Sequence, residues 1–150
     1  ERYIAPFEIK SASKSGFSMM AIACLLIETI DCFKEGVDDT RGETKQSFIR
    51  FFEKEPLFID FKSRALDFYS NVRCGLLHQG ETKKGWRINR KNDTPLLEGK
   101  SINANLFILN LKNVIRSYAA ELKASDFNDS RIWTNTLRKM EYILNNCKLS

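Results

Sequence analysis

The stretch from Phe17 to Ile27 constrains the fold most, because it is apolar on nearly every side of a helix. From residue 15 to about residue 36, apolar residues recur at intervals of three and four, which predicts an α-helix. The recurring positions are Met19, Ile22, Leu26, Ile30, Phe33 and Val37, and Met20, Ala21, Cys24 and Leu25 cover other sides. Such a helix lies at the centre of a core or in a subunit interface. Because the apolar run contains Ser18 and stops at Glu28, short of the roughly 20 residues that a bilayer requires, we expect no membrane span.

Composition predicts one globular domain over residues 1–150. The chain is 43% apolar, with eleven Phe, seven Gly and three Pro, which excludes a disordered chain. The net charge of +5 permits a nucleic acid as partner without requiring one. The four cysteines form no CxxC pair and the chain has one histidine, so we expect neither a zinc site nor another cofactor, and a reducing, cytoplasmic location.

Further apolar periodicities predict a mainly α domain of five helices. A short second helix is expected over residues 45–54, ending before Pro56, and a third from Asp60, as N-cap, to the break at Gln79 and Gly80. The stripe of the third helix is Phe61, Ala65, Phe68, Val72 and Leu76. Those of the last two helices are Ile108, Leu111, Ile115, Tyr118 and Leu122, and then Trp133, Leu137, Met140, Leu144 and Cys147.

A small β-hairpin is expected between the third and fourth helices. Residues 86–90 alternate between apolar and polar side chains, Asn92 and Asp93 are typical of a turn, and residues 96–97 begin a second extended piece. The sequence therefore predicts two short strands that pair with each other.

Few residues in the chain are suited to chemistry. The sequence contains no Gly-rich phosphate loop, no HExxH and no GxSxG, and His78 is its one imidazole. Cys74 lies four residues before His78, so a Cys–His pair is geometrically possible, although an isolated cysteine on such a helix is more often packed. Arg73 and His78 are about 140° apart on an ideal helix. Either the helix unwinds after Gly75, or a second protomer supplies the missing partner.

The stretch from Phe68 to Thr82 resembles the signature of the HEPN family (higher eukaryotes and prokaryotes nucleotide-binding). That signature is an Arg, four to six residues and a His near the end of a helix, here Arg73 and His78 with Cys74-Gly-Leu-Leu77 between them. The long apolar helix before it and two amphipathic helices after it agree with the family's all-α layout. In active members Asn, Asp or His commonly follows the Arg, and Cys74 takes that place here.

The resemblance implies a symmetric homodimer in which the dyads of both subunits face one cleft. It also implies metal-independent ribonuclease activity, as in members that act in toxin–antitoxin, phage-defence or RNA-processing systems, with an antitoxin or operon partner. Two His78 imidazoles, one per subunit, would serve as base and acid, and Arg73 would bind the phosphate. The products would be a 2′,3′-cyclic phosphate and a 5′-hydroxyl.

Residues 81–100 are the most basic segment of the chain. They hold six cations against three carboxylates, which is a net +3 of the chain's +5. The candidate RNA-binding residues are Lys83, Lys84, Trp86, Arg87 and Arg90, because cations around an aromatic ring can hold a phosphate backbone and stack a base. An ordinary charged hairpin edge with Trp86 packed beneath it explains the same pattern equally well.

Three hypotheses for the function follow from these observations. The first is a dimeric HEPN-type ribonuclease with Arg73 and His78 at the interface. The second is a catalytically inactive HEPN module that binds RNA, a nucleotide or a protein partner, with Cys74 marking the lost activity. The third is a helical scaffold in which the dyad only helps to pack the dimer.

Overall fold

The computed structural model describes residues 3–5 and 15–148, and over these ranges the chain is mainly α, as predicted. The elements in chain order are α1 Gly16–Glu35, α2 Thr44–Lys54, a 3₁₀ segment Pro56–Arg64, α3 Ala65–Phe68, a π-helical turn Tyr69–Arg73, α4 Cys74–Gln79, β1 Arg87–Asn89, β2 Leu97–Glu98, β3 Ser101–Asn103, α5 Ala104–Ala124 and α6 Arg131–Cys147. Since α3, the π-helical turn and α4 follow one another without a break, they form one helical stretch that carries Arg73 and His78. We call this stretch the site helix.

The helix α1 lies at the centre of the molecule. It packs against α2, α4, α5, α6 and β1. The face of α1 with Met20, Ala23, Cys24 and Ile27 is fully buried, which confirms its prediction as a core helix. Beside it, phenylalanines from four elements stack on one another: Phe48, Phe51, Phe52, Phe58, Phe61, Phe68 and Phe107. These rings hold the site helix against α2 and α5.

The length and composition of α1 also fit a membrane-spanning helix, contrary to the expectation from the length of the apolar run. The charged residues of α1 lie towards its C-terminal end, so an 18-residue window still contains few enough of them to meet that criterion. The core helix of a soluble protein meets the same criterion. The fully buried face of α1 is compatible with that role.

The site helix begins later than the sequence indicates. Asp60 was expected as its N-cap, but it lies inside the 3₁₀ segment, and regular α-helix begins at Ala65. Pro56 opens the segment, and Phe58 interrupts it with a non-helical φ of −122°, which aims its ring into the aromatic core. The predicted stripe from Phe61 to Leu76 is confirmed as buried throughout.

The predicted hairpin is wrong in its pairing. β1 pairs in parallel with β3, and β2 pairs with β3 in antiparallel, so β3 lies between the two expected strands. The cause is Asn103, whose side-chain amide donates to the carbonyl oxygens of Lys91 at 2.8 Å and Thr94 at 3.0 Å. The connection after β1 therefore wraps around Asn103 instead of turning β2 back along β1.

The helix α6 faces the opposite way from the expectation. Most of its predicted apolar stripe points outward: Leu137, Met140, Leu144 and Cys147 are exposed, and Trp133 is half-buried. The inward side is polar because it binds the end of α1 and the loop beyond it. Asn135 donates to the carbonyl of Lys34 at 2.6 Å, and Lys139 donates to that of Asp38. Thr136 shares a hydrogen bond with Tyr118 of α5.

Gly75 is required by a close backbone approach rather than by unwinding of the helix. A Cβ at this position would meet the carbonyl oxygen of Glu81 closer than real Cβ atoms approach any atom. The chain leaves α4 through Gly80, which has a left-handed φ of 70°, and then runs back along the helix. The N–H of Lys83 donates to the carbonyl of Asn71 at 2.9 Å. The basic segment is thereby packed against the site helix.

We expect Gly75→Ala to lower the free energy of unfolding by about 1–3 kcal/mol, because the Glu81 backbone must move to admit the methyl group. Helix propensity alone predicts the opposite sign, a gain of about 0.5–1 kcal/mol. Urea unfolding measures the difference, with Gln79→Ala on the exposed side of the same helix as a control that should stay within about 0.5 kcal/mol. A Gly75→Ala protein as stable as the wild type would contradict the close approach.

Candidate functional site

One protomer brings the side chains of Arg73 and His78 together. Arg73 ends the π-helical turn, His78 lies in the last turn of α4, and Nη1 of Arg73 is 3.5 Å from Nε2 of His78. The expected unwinding after Gly75 is not used, because α4 stays helical to Gln79. The long arginine side chain spans the distance that separates the two positions on the helix. His78 itself is exposed to solvent.

The π-helical turn sets the position of Arg73. At its end, the N–H of Cys74 donates to the carbonyl of Tyr69, five residues back instead of four. The Asn71 side-chain amide donates to the carbonyl of Asp67 at 3.1 Å and to its carboxylate at 2.7 Å, so polar groups near the widened turn are hydrogen-bonded. Single π-turns of this kind occur often at functional sites. No residue type in the sequence signals this one.

Glu28 of α1 holds Arg73 in place, and the sequence analysis missed this role. Its Oε1 accepts hydrogen bonds from Nε of Arg73 at 3.0 Å and, as an ion pair, lies 2.9 Å from Nη2. Its Oε2 accepts a hydrogen bond from Thr40 at 2.9 Å. The side chains of Arg73 and Glu28 are only 14% and 15% exposed. With Nε and Nη2 engaged, Nη1 is the nitrogen that faces His78.

A signal for Glu28 was present in the sequence. It is the first carboxylate after the apolar run of α1, with Asp31 one turn further on, and a carboxylate on a core helix needs a cationic or hydrogen-bonded partner. The pattern alone does not say which cation pairs with it. Arg73 lies 45 residues further along the chain, and only the packing of α4 on α1 brings the two together.

The electrostatics of the site keep Arg73 positively charged. Burial works against the charged guanidinium, but the attraction and hydrogen bonds of Glu28 outweigh it and raise the pKa of Arg73. The Tyr69 ring lies 5.7 Å from the guanidinium carbon, which adds a cation–π contact. Burial, followed by a hydrogen bond with the Cys74 thiol, raises the pKa of Tyr69, and burial also raises the pKa of Cys24. The site thus offers a fixed cation beside an exposed imidazole.

Cys74 belongs to the arginine end of the site. It is partly buried, and its thiol contributes to the raised pKa values of Tyr69 and Arg73. It therefore contacts the residue that the HEPN resemblance assigns to phosphate binding. Within residues 3–5 and 15–148, no three His, Cys, Asp or Glu side chains are grouped so that they could hold a metal ion.

The basic segment divides into exposed and structural residues. Lys84 and Arg87 are exposed, and Lys83 is half-buried beside the site helix. Arg90 has a structural role, because its guanidinium donates to Asn105 at 2.9 Å and to Ser15 at 2.8 Å, which joins the starts of α5 and α1.

Trp86 lies beneath the basic segment instead of on its surface. It is 3% exposed, its ring packs edge-on against Phe68 at 6.1 Å, and its Nε1 donates to Asp67 at 3.1 Å. A ring in this position cannot stack on a base, so base stacking by Trp86 is wrong for this structure. The indole instead anchors the basic segment to α3.

We expect Glu28→Gln to lower the free energy of unfolding by about 3 kcal/mol, because Arg73 loses its counter-charge in a mostly buried position. Thr40→Val removes one hydrogen bond to the same carboxylate and should cost about 1 kcal/mol. Glu53→Gln, on the exposed side of α2, serves as the matched control and should stay within about 0.5 kcal/mol. Equal urea midpoints for Glu28→Gln and Glu53→Gln would contradict a role of Glu28 in holding Arg73.

Comparisons with known proteins leave the site to be interpreted from its own residues. No protein-family model, no curated protein and no solved structure matches the chain. The chemistry of the site therefore rests on the geometry of Arg73, His78 and Glu28, and the HEPN resemblance of the segment that carries the first two stays a prediction.

Proposed function

We propose that this protein is a HEPN-type endoribonuclease that cleaves RNA without a metal ion, as a homodimer, with Arg73 and His78 as its catalytic residues. The observation that carries the proposal is the 3.5 Å separation between Nη1 of Arg73 and Nε2 of His78. A guanidinium anchored by Glu28 and an exposed imidazole supply the phosphate contact and one of the two proton carriers that phosphodiester cleavage by the neighbouring 2′-hydroxyl requires.

The geometry supports a division of roles within the dyad. A phosphate oxygen approaches Arg73 from the Nη1 side, because Glu28 engages Nε and Nη2. One imidazole takes the proton of the 2′-hydroxyl, whose oxygen then attacks phosphorus. The bond to the 5′-oxygen breaks as that oxygen receives a proton from a second imidazole. The products are a 2′,3′-cyclic phosphate and a 5′-hydroxyl, and Arg73 stabilises the charge on phosphorus during the transfer.

The proton balance of this reaction requires a second copy of the chain. Each chain has one histidine, and cleavage needs a base and an acid at the same phosphate. In a symmetric dimer His78 of each copy fills one of these roles. A toxin–antitoxin or phage-defence system in the cytoplasm is the setting that this activity fits, with an antitoxin or operon partner to restrain it.

The RNA backbone follows the exposed part of the basic segment. Lys83 is joined to the site helix through its backbone, and Lys84 and Arg87 are exposed on the segment that follows it. Single-stranded RNA would cross these cations through phosphate contacts and without a stacking platform, because Trp86 is buried.

A non-catalytic HEPN module that binds RNA, a nucleotide or a protein partner is the second candidate. The observation that favours it is the state of the arginine end, where the Cys74 thiol and Glu28 both engage Arg73 and leave its side chain 14% exposed. Such a protein would bind RNA through the basic segment and leave it intact. A scaffold, the third hypothesis, would lose dimer stability and nothing else in Arg73→Ala.

We expect wild-type protein to cleave single-stranded RNA in EDTA and to leave cyclic-phosphate ends, and His78→Ala to lower the rate about 10²–10⁴-fold, because it removes both proton carriers of the dimer. Gln79→Ala changes the exposed neighbour of His78 and should keep the wild-type rate. Gel analysis of a labelled oligonucleotide measures the cleavage. Binding without cleavage by the wild type would favour the non-catalytic module, and neither binding nor cleavage would favour the scaffold.

We expect the triple variant Lys83→Ala/Lys84→Ala/Arg87→Ala to reduce the slope of log affinity against log salt by about 2, since each lost contact to single-stranded RNA removes about 0.7. The affinity is measured by fluorescence anisotropy in the His78→Ala background, which prevents cleavage during the titration. Lys45→Ala/Lys62→Ala/Lys123→Ala removes the same charge from exposed positions elsewhere. Equal slopes for the two triple variants would show that RNA does not follow the basic segment.

A further inference from the structure

Two neighbouring helices expose an unusually apolar surface on one side of the molecule. We call it the α1–α6 face, and its defining residues are Leu25 and Phe33 of α1, Leu122 of α5, and Leu137, Met140 and Leu144 of α6. Leu25, Leu137, Met140 and Leu144 are each between 43% and 53% exposed. Large apolar side chains grouped in this way on a protein surface mark an interaction site.

A groove joins the two helices of this face. It has a volume of about 260 Å³ and is lined by apolar atoms of α1, α5 and α6, with Leu26, Phe33 and Leu122 among its walls. On an ideal helix Thr136, which closes the groove on the α6 side, lies about 40–100° from the stripe of Leu137, Met140 and Leu144, with Met140 nearest to it. The groove and the outward stripe of α6 therefore form one continuous surface.

The polar groups on this surface have partners inside the protein. Thr29, the exposed hydroxyl in the middle of α1, donates to the carbonyl of Leu25 at 2.8 Å. Thr136 donates to the carbonyl of Ile132 at 2.7 Å and shares a hydrogen bond with Tyr118. Both hydroxyls would thus keep a hydrogen-bond partner when the face is covered. Burying a polar group is costly mainly when it loses such a partner.

The face borders the candidate active site. Glu28, which holds Arg73, is three residues from Leu25 and about 60° from it around α1. Phe33 and the groove lie on the other side of Leu25, because they face α5 and α6. A molecule that covers Leu25 therefore lies between the dyad on one edge of the face and α6 on the other.

We propose that a second copy of this chain covers the α1–α6 face and that the two dyads meet at the edge of this interface. The choice of a second copy rests on the proposed function, because a dyad with one imidazole is incomplete without another chain beside it. A two-fold axis that lies in the interface and leaves it at the edge next to Glu28 sets the same residues against each other and places both dyads on that edge. Two helices about 25–30 Å long and about 10 Å apart give a footprint of the order of the ~800 Å² per partner of a stable interface, which the α6 stripe alone does not reach.

The oligomeric state tests this interface. Analytical ultracentrifugation of the wild type should give twice the 17.4 kDa of one chain. Leu137→Glu/Met140→Glu and, separately, Leu25→Glu should raise the dimer dissociation constant at least about 100-fold, because each would bury charge against an apolar surface. All three positions are exposed, so the variants should keep the wild-type circular dichroism spectrum. The matched control is Leu66→Glu/Leu109→Glu, two exposed leucines outside the face.

The result separates the interface from the nuclease. A wild type that is monomeric at about 50 micromolar (about 10 times a low-micromolar dissociation constant) would overturn the interface, as would dimers that survive the α1 and α6 variants but dissociate in the control. Dissociation by those variants in a protein that never cleaves RNA would support the interface and overturn the nuclease. Loss of cleavage in parallel with dissociation, with cleavage retained in the control, would support both.

Discussion

The pairing of Glu28 with Arg73 is the interaction on which the site depends. α1 is a core helix, so a carboxylate on it must find a partner, and the site helix supplies the cation that pairs with Glu28. The pair joins the centre of the fold to the surface, since one end of the guanidinium is held in a mostly buried position and the other reaches the exposed His78. The packing of the core therefore also fixes the orientation of the dyad.

The sequence predicted the positions of most helices but not how the helices pack against one another. Apolar spacing located α1, α2, α5 and the buried side of the site helix, because burial imposes the helical period directly. The same spacing located α6 but predicted the wrong side of it as the buried one. Periodicity shows that a face is apolar, and it does not show whether that face meets this core or solvent. Polar contacts with Lys34 and Asp38, about 100 residues earlier in the chain, decide that question.

The sequence identified the two residues of the dyad but did not predict their geometry. An ideal helix separates Arg73 from His78, and the expectations of unwinding or of a partner subunit followed from that ideal. No local pattern predicts the π-helical turn or the role of Glu28. The turn is a change of hydrogen-bond partner within the helix, and Glu28 contacts a residue 45 positions away in the sequence. Gly75 was predicted as the point after which the helix unwinds, and its actual role is to let the backbone at Glu81 pass close to the helix.

The position of α6 in the chain has a consequence during synthesis. Its polar side covers the end of α1 and the following loop through hydrogen bonds that join residues 101 positions apart. As the chain leaves the ribosome, α1 is complete long before α6 exists, and that flank of an apolar helix stays open to water and to other nascent chains. Contacts so distant along the chain form late. Early association of two nascent α1 helices would therefore compete with the docking of α6.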